Sequence, residues 1–163
     1  MDRWEYLLTK EYRIRQHICE YFVGDLQYVL DVGVYKTTLY GAYPYGVVPI
    51  DPLKTMVDSY HGTVAEWLDE HGDLLNVDYG VIGLGLDIEG GKKEFDAFFS
   101  LRQGAKIAII EFSKDHQPSV EQANYILEHI NKPIKMEMDI KFPDVESSGF
   151  KPHANRKLII FER

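Results

Sequence analysis

Apolar positions along the chain alternate between helical and strand-like spacing, and this alternation predicts the order of the elements. Residues 2–22 carry Leu7, Ile14, Ile18 and Tyr21 at helical intervals, with Asp2 and Glu5 spaced as a capping pair. Gly24-Asp25 breaks that helix. Short apolar runs follow at about 27–32, 47–51, 79–86 and 106–112. Runs of this length without polar alternation predict strands buried on both faces, as in a parallel sheet. Helical patterns lie between them. Thr63 and Glu66 form a capping box ahead of Val64, Trp67 and Leu68, with Gly72 as the stop. Residues 92–102 set Phe95, Phe98 and Phe99 on an inner face and end at Gly104. Ser119 and Gln122 form a second capping box before a stripe of Val120, Ala123, Leu127 and Ile130, closed by Lys132-Pro133.

Two stretches break this rhythm. Between 34 and 46 stand Tyr35, Tyr40, Tyr43 and Tyr45, interrupted by Gly41 and Pro44, so any helix there is short, about 36–40. From 134 to 142 the apolar side Ile134, Met136, Met138, Ile140, Phe142 alternates with Lys135, Glu137, Asp139, Lys141, which predicts a half-buried strand. A loop, 143–155, then joins it to a last strand at 157–162. Strands alternating with helices, then strand–loop–strand, predict an α/β fold: a mostly parallel sheet with an antiparallel hairpin at its edge.

At 163 residues the expectation is one domain, 1–163, made of an N-terminal helix (1–23) and an α/β core (24–163). No apolar run approaches the roughly 20 residues of a membrane span, and the start, Met1-Asp2-Arg3-Trp4-Glu5, lacks the basic end of a signal peptide. The single cysteine, Cys19, forms no internal disulfide; it reads as a packed thiol in a protein of the reducing cytoplasm. A net charge of −8 argues against non-specific nucleic-acid binding. The small basic groups (Arg13 and Arg15, Lys92-Lys93, Lys151 with Arg156-Lys157) read as solvated faces. The histidines at 17, 61, 71, 116, 129 and 153 lack the close pairing of a zinc site, so no metal is expected. Neither G-x-x-x-x-G-K-[ST] nor G-x-S-x-G occurs, and Gly83-Leu84-Gly85 lacks a third glycine. The oligomeric state is left open.

The chemistry concentrates in Tyr28–Leu53. The first apolar run ends on Asp31-Val32-Gly33 and the second on Asp51, twenty positions after the first acid. An acid closing the second strand is suited to accept hydrogen bonds from ribose hydroxyls, and Gly33 admits a ligand close to the backbone. Together with the C-terminal strand pair, these residues resemble the first two motifs of class I S-adenosylmethionine-dependent methyltransferases, over about residues 24–163. The resemblance implies a three-layer Rossmann-like fold, S-adenosyl-L-methionine as cofactor, and methyl transfer. It implies that Asp31 and Gly33 flank the methionine end, that Asp51 holds the ribose, that Pro52 and Leu53 lie beside the adenine, and that Asp73 reads the adenine amino group. Tyr35 and Thr37 stand where the family has further glycines. The family's third strand is not legible between Asp51 and Asp78; Asp73-Leu74-Leu75 is its expected remnant.

The cofactor's sulfonium is already activated, so such an enzyme mainly aligns its acceptor and removes a proton where necessary. Candidate groups come from strand carboxyl ends, namely Asp87, Glu89, Glu111, Lys114 and His116, with Asp87, Glu111 and Lys114 as the catalytic choice. Each acid has a plainer reading as a cap or turn former. The tyrosines of 35–45 are candidates for lining an acceptor pocket. With no appended domain to grip a polymer, a small-molecule acceptor is expected. The rival function is a methyltransferase-like binding or assembly protein without catalysis, favoured by Tyr35, Thr37 and the missing strand. A third is an enzyme that uses the same cofactor for another reaction.

Overall fold

The structure, a computed structural model, describes residues 9–32, 47–50, 60–83, 91–143 and 154–163. Its elements are α1 (Lys10–Val23), β1 (Tyr28–Val32), β2 (Val47–Ile50), α2 (Val64–His71), β3 (Tyr79–Gly83), α3 (Gly91–Gly104), β4 (Ile107–Ser113), α4 (Gln117–His129), β5 (Ile134–Lys141) and β6 (Asn155–Glu162). Six strands form one sheet in the order β2-β1-β3-β4-β6-β5. The first four run parallel, while β6 lies antiparallel between β4 and β5. The predicted mostly parallel sheet with a terminal antiparallel pair is the observed one.

Strand alternation gives the sheet two unlike faces. Val29, Ile82, Ile109, Leu158 and Ile160 pack under Cys19 and Val23 of α1. Leu30, Val81, Ile110, Ile159 and Phe161 point the other way, under α2, α3 and α4. All seven residues of β4 are buried, the apolar run 107–110 as predicted and Glu111 and Ser113 beyond it, whereas β5 at the edge is exposed at alternate positions.

Thr63 forms the predicted capping box: its Oγ1 accepts from Glu66 N–H at 3.2 Å, and its own N–H donates to Glu66 Oε1 at 3.3 Å. Gly91, at φ +74°, opens α3 in a conformation that disfavours a side chain. A tie that sequence spacing does not reveal joins these helices. The buried Glu94 of α3 accepts from Val64 N–H at 2.7 Å and Ala65 N–H at 3.1 Å, so one helix's carboxylate satisfies two of the free donors at the start of the preceding helix.

Four details differ from expectation. The buried face of α1 is Tyr12, Arg15, Cys19 and Val23, while Ile14 and Tyr21 are 43% and 82% exposed. The helix is turned so that Arg15 meets a buried acid, a reason that apolar periodicity does not record. Its N-cap is Thr9; the Asp2–Glu5 pair lies outside the described residues. The Ser119–Gln122 box does not form, because α4 starts two residues earlier with Pro118 in its first turn, where the missing N–H costs nothing. Its stripe becomes Ser119, Ala123 and Ile126, leaving Leu127 exposed. Finally, Asp73-Leu74-Leu75 belongs to a 3-10 turn, Gly72–Leu75. The vestige of a further strand is Tyr60, bridged in parallel to Ile50 with its N–H donating to Pro49 O at 2.9 Å.

The Glu94 tie predicts a measurable cost. Glu94→Gln swaps one acceptor for a donor facing two buried N–H groups, and is expected to lose about 1–3 kcal/mol. Urea denaturation should show a lower midpoint at unchanged slope.

Candidate functional site

The carboxyl ends of the parallel strands hold charged side chains on both faces of the sheet. On the α1 face, Asp31 is the penultimate residue of β1 and is buried. Two strands away, Glu111 of β4 is 0% exposed. Arg15 Nη1 donates to Glu111 Oε1 at 2.6 Å, and Arg156 Nη1 of β6 donates to the same oxygen at 2.8 Å. Glu111 Oε2 has no hydrogen-bond partner among the described residues. Rings support the guanidinium groups: Arg15 lies 4.8 Å from the Tyr12 centroid and 5.2 Å from Phe142, and Arg156 lies 6.0 Å from Phe142. The Cys19 thiol sits within reach of these charges. Burial pushes it up to about 12, with Arg15 pulling it down and Glu111 and Asp31 adding to the rise. It is the packed thiol the sequence suggests, and not a nucleophile.

On the opposite face, Arg102 of α3 is completely buried, its guanidinium stacked 3.5 Å from the Phe98 centroid. Burial pushes it down to about 9, so it is still a cation at neutral pH. Both side chains press on Gly83, the last residue of β3. A Cβ there would come to 2.5 Å from Phe98 Cζ and 3.0 Å from Arg102 Nη2, so only glycine fits beneath the stack.

The other expected site residues fall in various places. Gly33, Tyr35, Asp51, Pro52, Leu53, Asp87 and Glu89 lie outside the described residues. Asp73 is exposed in the 3-10 turn that leads into the amino end of β3, so the structure does not bring it to the end of the sheet that holds Asp31. Glu111 was expected at an open strand end, and is instead enclosed between two arginines. Lys114 reaches sideways to the edge strand, with Nζ 3.2 Å from Asp139 Oδ1. His116 is the N-cap of α4, with Nδ1 2.8 Å from Ser119 Oγ. Sequence reasoning missed Arg15 and Arg102 as core groups, and Arg156 as the part-buried partner of Glu111. Tyr12, Arg15, Cys19 and Val23 do share helical spacing, a signal hidden by the arginine among them. Arg102 reads as an ordinary cation in a last helical turn. Among the described residues no three side chains are grouped to hold a metal, and no helix is long and apolar enough to cross a membrane.

This is the Rossmann-like fold of class I methyltransferases. An rRNA methylase from Streptococcus thermophilus superposes with a TM-score of 0.54, over 95% of this chain and 97% of that one, at 9% identity. A chain of the Pnkp1/Rnl/Hen1 RNA repair complex superposes with a TM-score of 0.51, over 95% of this chain and 42% of that one, at 11% identity. At such identities the likeness is one of fold. The sequence matches no protein-family model and no curated protein.

Two consequences of the α1-face cluster are measurable. Glu111→Gln removes the buried carboxylate that the buried Arg15 and the part-buried Arg156 share, and is expected to destabilise by about 3 kcal/mol or more. The Cys19 thiol, raised from its ordinary 9 to about 12, keeps its proton in the folded chain where the unfolded chain loses it. The stability this contributes is full below pH 9 and falls as pH rises towards 12. At pH 8.5 the native thiolate fraction is about a thousandfold below that of the unfolded chain. Alkylation by iodoacetamide should therefore be very slow in buffer and fast in urea.

Proposed function

We propose that the chain binds S-adenosyl-L-methionine at the carboxyl ends of β1 and β2 and transfers its methyl group to a small-molecule acceptor. The observation that carries this reading is the sheet order, with antiparallel β6 inserted between β4 and β5. That insertion separates methyltransferase folds from ordinary dinucleotide-binding domains. Open α/β sheets bind ligands at their carboxyl edge. There Asp31 offers a buried carboxylate beside Gly33, suited to the ammonium of a methionine moiety. By the resemblance, Asp51 takes the ribose hydroxyls, with Pro52 and Leu53 along the adenine.

When bound, the cofactor supplies a methyl group on a positive sulfur. The chain's own residues then have to hold and orient the two reactants. Glu111, held between Arg15 and Arg156, fixes the strand end and α1 in this reading. The neighbour named as an rRNA methylase acts on RNA. For this chain, a net charge of −8 weighs against a polynucleotide and for a small acceptor. The single bridge of Tyr60, which is all of a further strand among the described residues, favours the second reading, a binding or assembly module on the same scaffold.

Calorimetric titration with S-adenosylmethionine and S-adenosylhomocysteine separates the two. Saturable binding is expected, weakened at least about tenfold in Asp51→Ala, since a hydrogen bond to a charged group is worth about 1.5–3 kcal/mol. No heat at millimolar cofactor would leave only the module, and a response to NAD instead would return the chain to the dinucleotide binders.

A further inference from the structure

Arg102 has no role in the fold or in the reaction described so far. It is 0% exposed, and Nε, Nη1 and Nη2 have no hydrogen-bond partner among the described residues. Removing an unpaired cation from water costs far more than stacking on one ring returns. The same molecule shows the usual remedy, since the guanidinium groups of Arg15 and Arg156 both bond to Glu111. Arg102 has the Phe98 ring, 3.5 Å away, and no acid bonded to it among the described residues.

Its place is informative. Helical side chains lean towards the N-terminus of their helix, so Arg102 climbs along α3 towards the carboxyl edge of the sheet. There Nη2 reaches to 3.0 Å from the position that a Cβ of Gly83 would occupy. Gly83 ends β3, on the edge where ligands of open α/β sheets bind. The position also lies on the face opposite Asp31, whose side chain points to α1. A guanidinium fork suits a carboxylate or a phosphate, each of which takes two parallel hydrogen bonds.

We propose that Arg102 recognises an anionic group of the methyl acceptor, a carboxylate or phosphate docked at the carboxyl edge of β3, beyond the contact of Arg102 with Gly83. The proposal rests on the methyl-transfer reading and names the substrate class for it. Among the described residues this buried cation has no counter-charge, and an acceptor lacking the oxyanion is a poor substrate.

The test uses the full chain. Thermal unfolding is followed in sodium phosphate and in sodium acetate, against sodium chloride at equal ionic strength. A saturable rise in Tm with one of the oxyanions is expected, and the oxyanion that acts at lower concentration tells a phosphate acceptor from a carboxylate one. Arg102→Met should lose that rise, while its Tm in chloride is equal to or above that of the wild type, since an unpaired buried charge has gone. Its affinity for S-adenosylhomocysteine should stay within about twofold of the wild type's. Should Arg102→Met not fold, Arg102→Lys keeps the charge without the fork, and is expected to need at least about tenfold more oxyanion.

No oxyanion effect beyond chloride in the wild type, or an effect that persists in Arg102→Met, overturns the proposal. So does a variant that loses S-adenosylhomocysteine affinity but keeps that for 5′-methylthioadenosine, because the guanidinium would then hold the cofactor's own carboxylate. Failure of the wild type to bind S-adenosylhomocysteine removes the methyl-transfer reading, and the acceptor assignment falls with it. Cofactor binding without an oxyanion effect removes the acceptor assignment alone.

Discussion

The carboxylate of Glu111 draws three distant parts of the chain to one point. Arg15 comes from the first helix, Glu111 from the fourth strand and Arg156 from the last strand, 96 and 45 residues from Glu111 respectively. Burying ions is expensive, and a well-packed apolar replacement is often as stable. What such a cluster does supply is geometry. An arginine that must meet one carboxylate sets the rotation of α1 about its axis, and an arginine on β6 sets where the last strand runs beside β4. The rings of Tyr12 and Phe142 seat the two guanidinium groups.

The two faces of the sheet are built on different principles. The α1 face is held by charge at its carboxyl end and by Val29, Ile109, Leu158 and Ile160 below. The α2–α4 face is apolar over most of its area, and its helices are tied to each other through Glu94 and to the sheet through Tyr79, whose hydroxyl donates to Leu101 O at 2.7 Å. Arg102 stands out here, with three buried nitrogens that have no hydrogen-bond partner among the described residues. Native interiors leave few buried polar groups without partners, and one that remains is worth explaining by what binds there.

Among the described residues one bridge lies beside the β2 edge of the sheet. Beyond β2, the backbone of Tyr60 makes one parallel bridge, and the chain then turns at Gly62 into the capped helix α2. The 3-10 turn with Asp73 comes only afterwards, on the way to β3. A sequence search for the strand fails because a single bridging residue has no periodicity to detect.

Elements with strong local signals were legible. The continuous apolar runs became buried parallel strands, the alternating run became the half-exposed β5, and Thr63 with Glu66 formed the box their spacing implies. Asp31 at the end of β1 was legible too, because strand end and acid adjoin in the sequence. Legibility failed where a residue's partner lies far along the chain. Nothing local turns α1 towards Arg15, encloses Glu111 instead of exposing it, or makes Glu94 the cap of another helix. Nothing local separates Arg102 from a solvated last-turn cation, yet packing against Phe98 and Gly83 buries it. The sequence alone determined the order and kind of the elements, because periodicity and capping act between near neighbours. The tertiary structure decided which charges are buried and what they face, because that depends on contacts closed across the sheet.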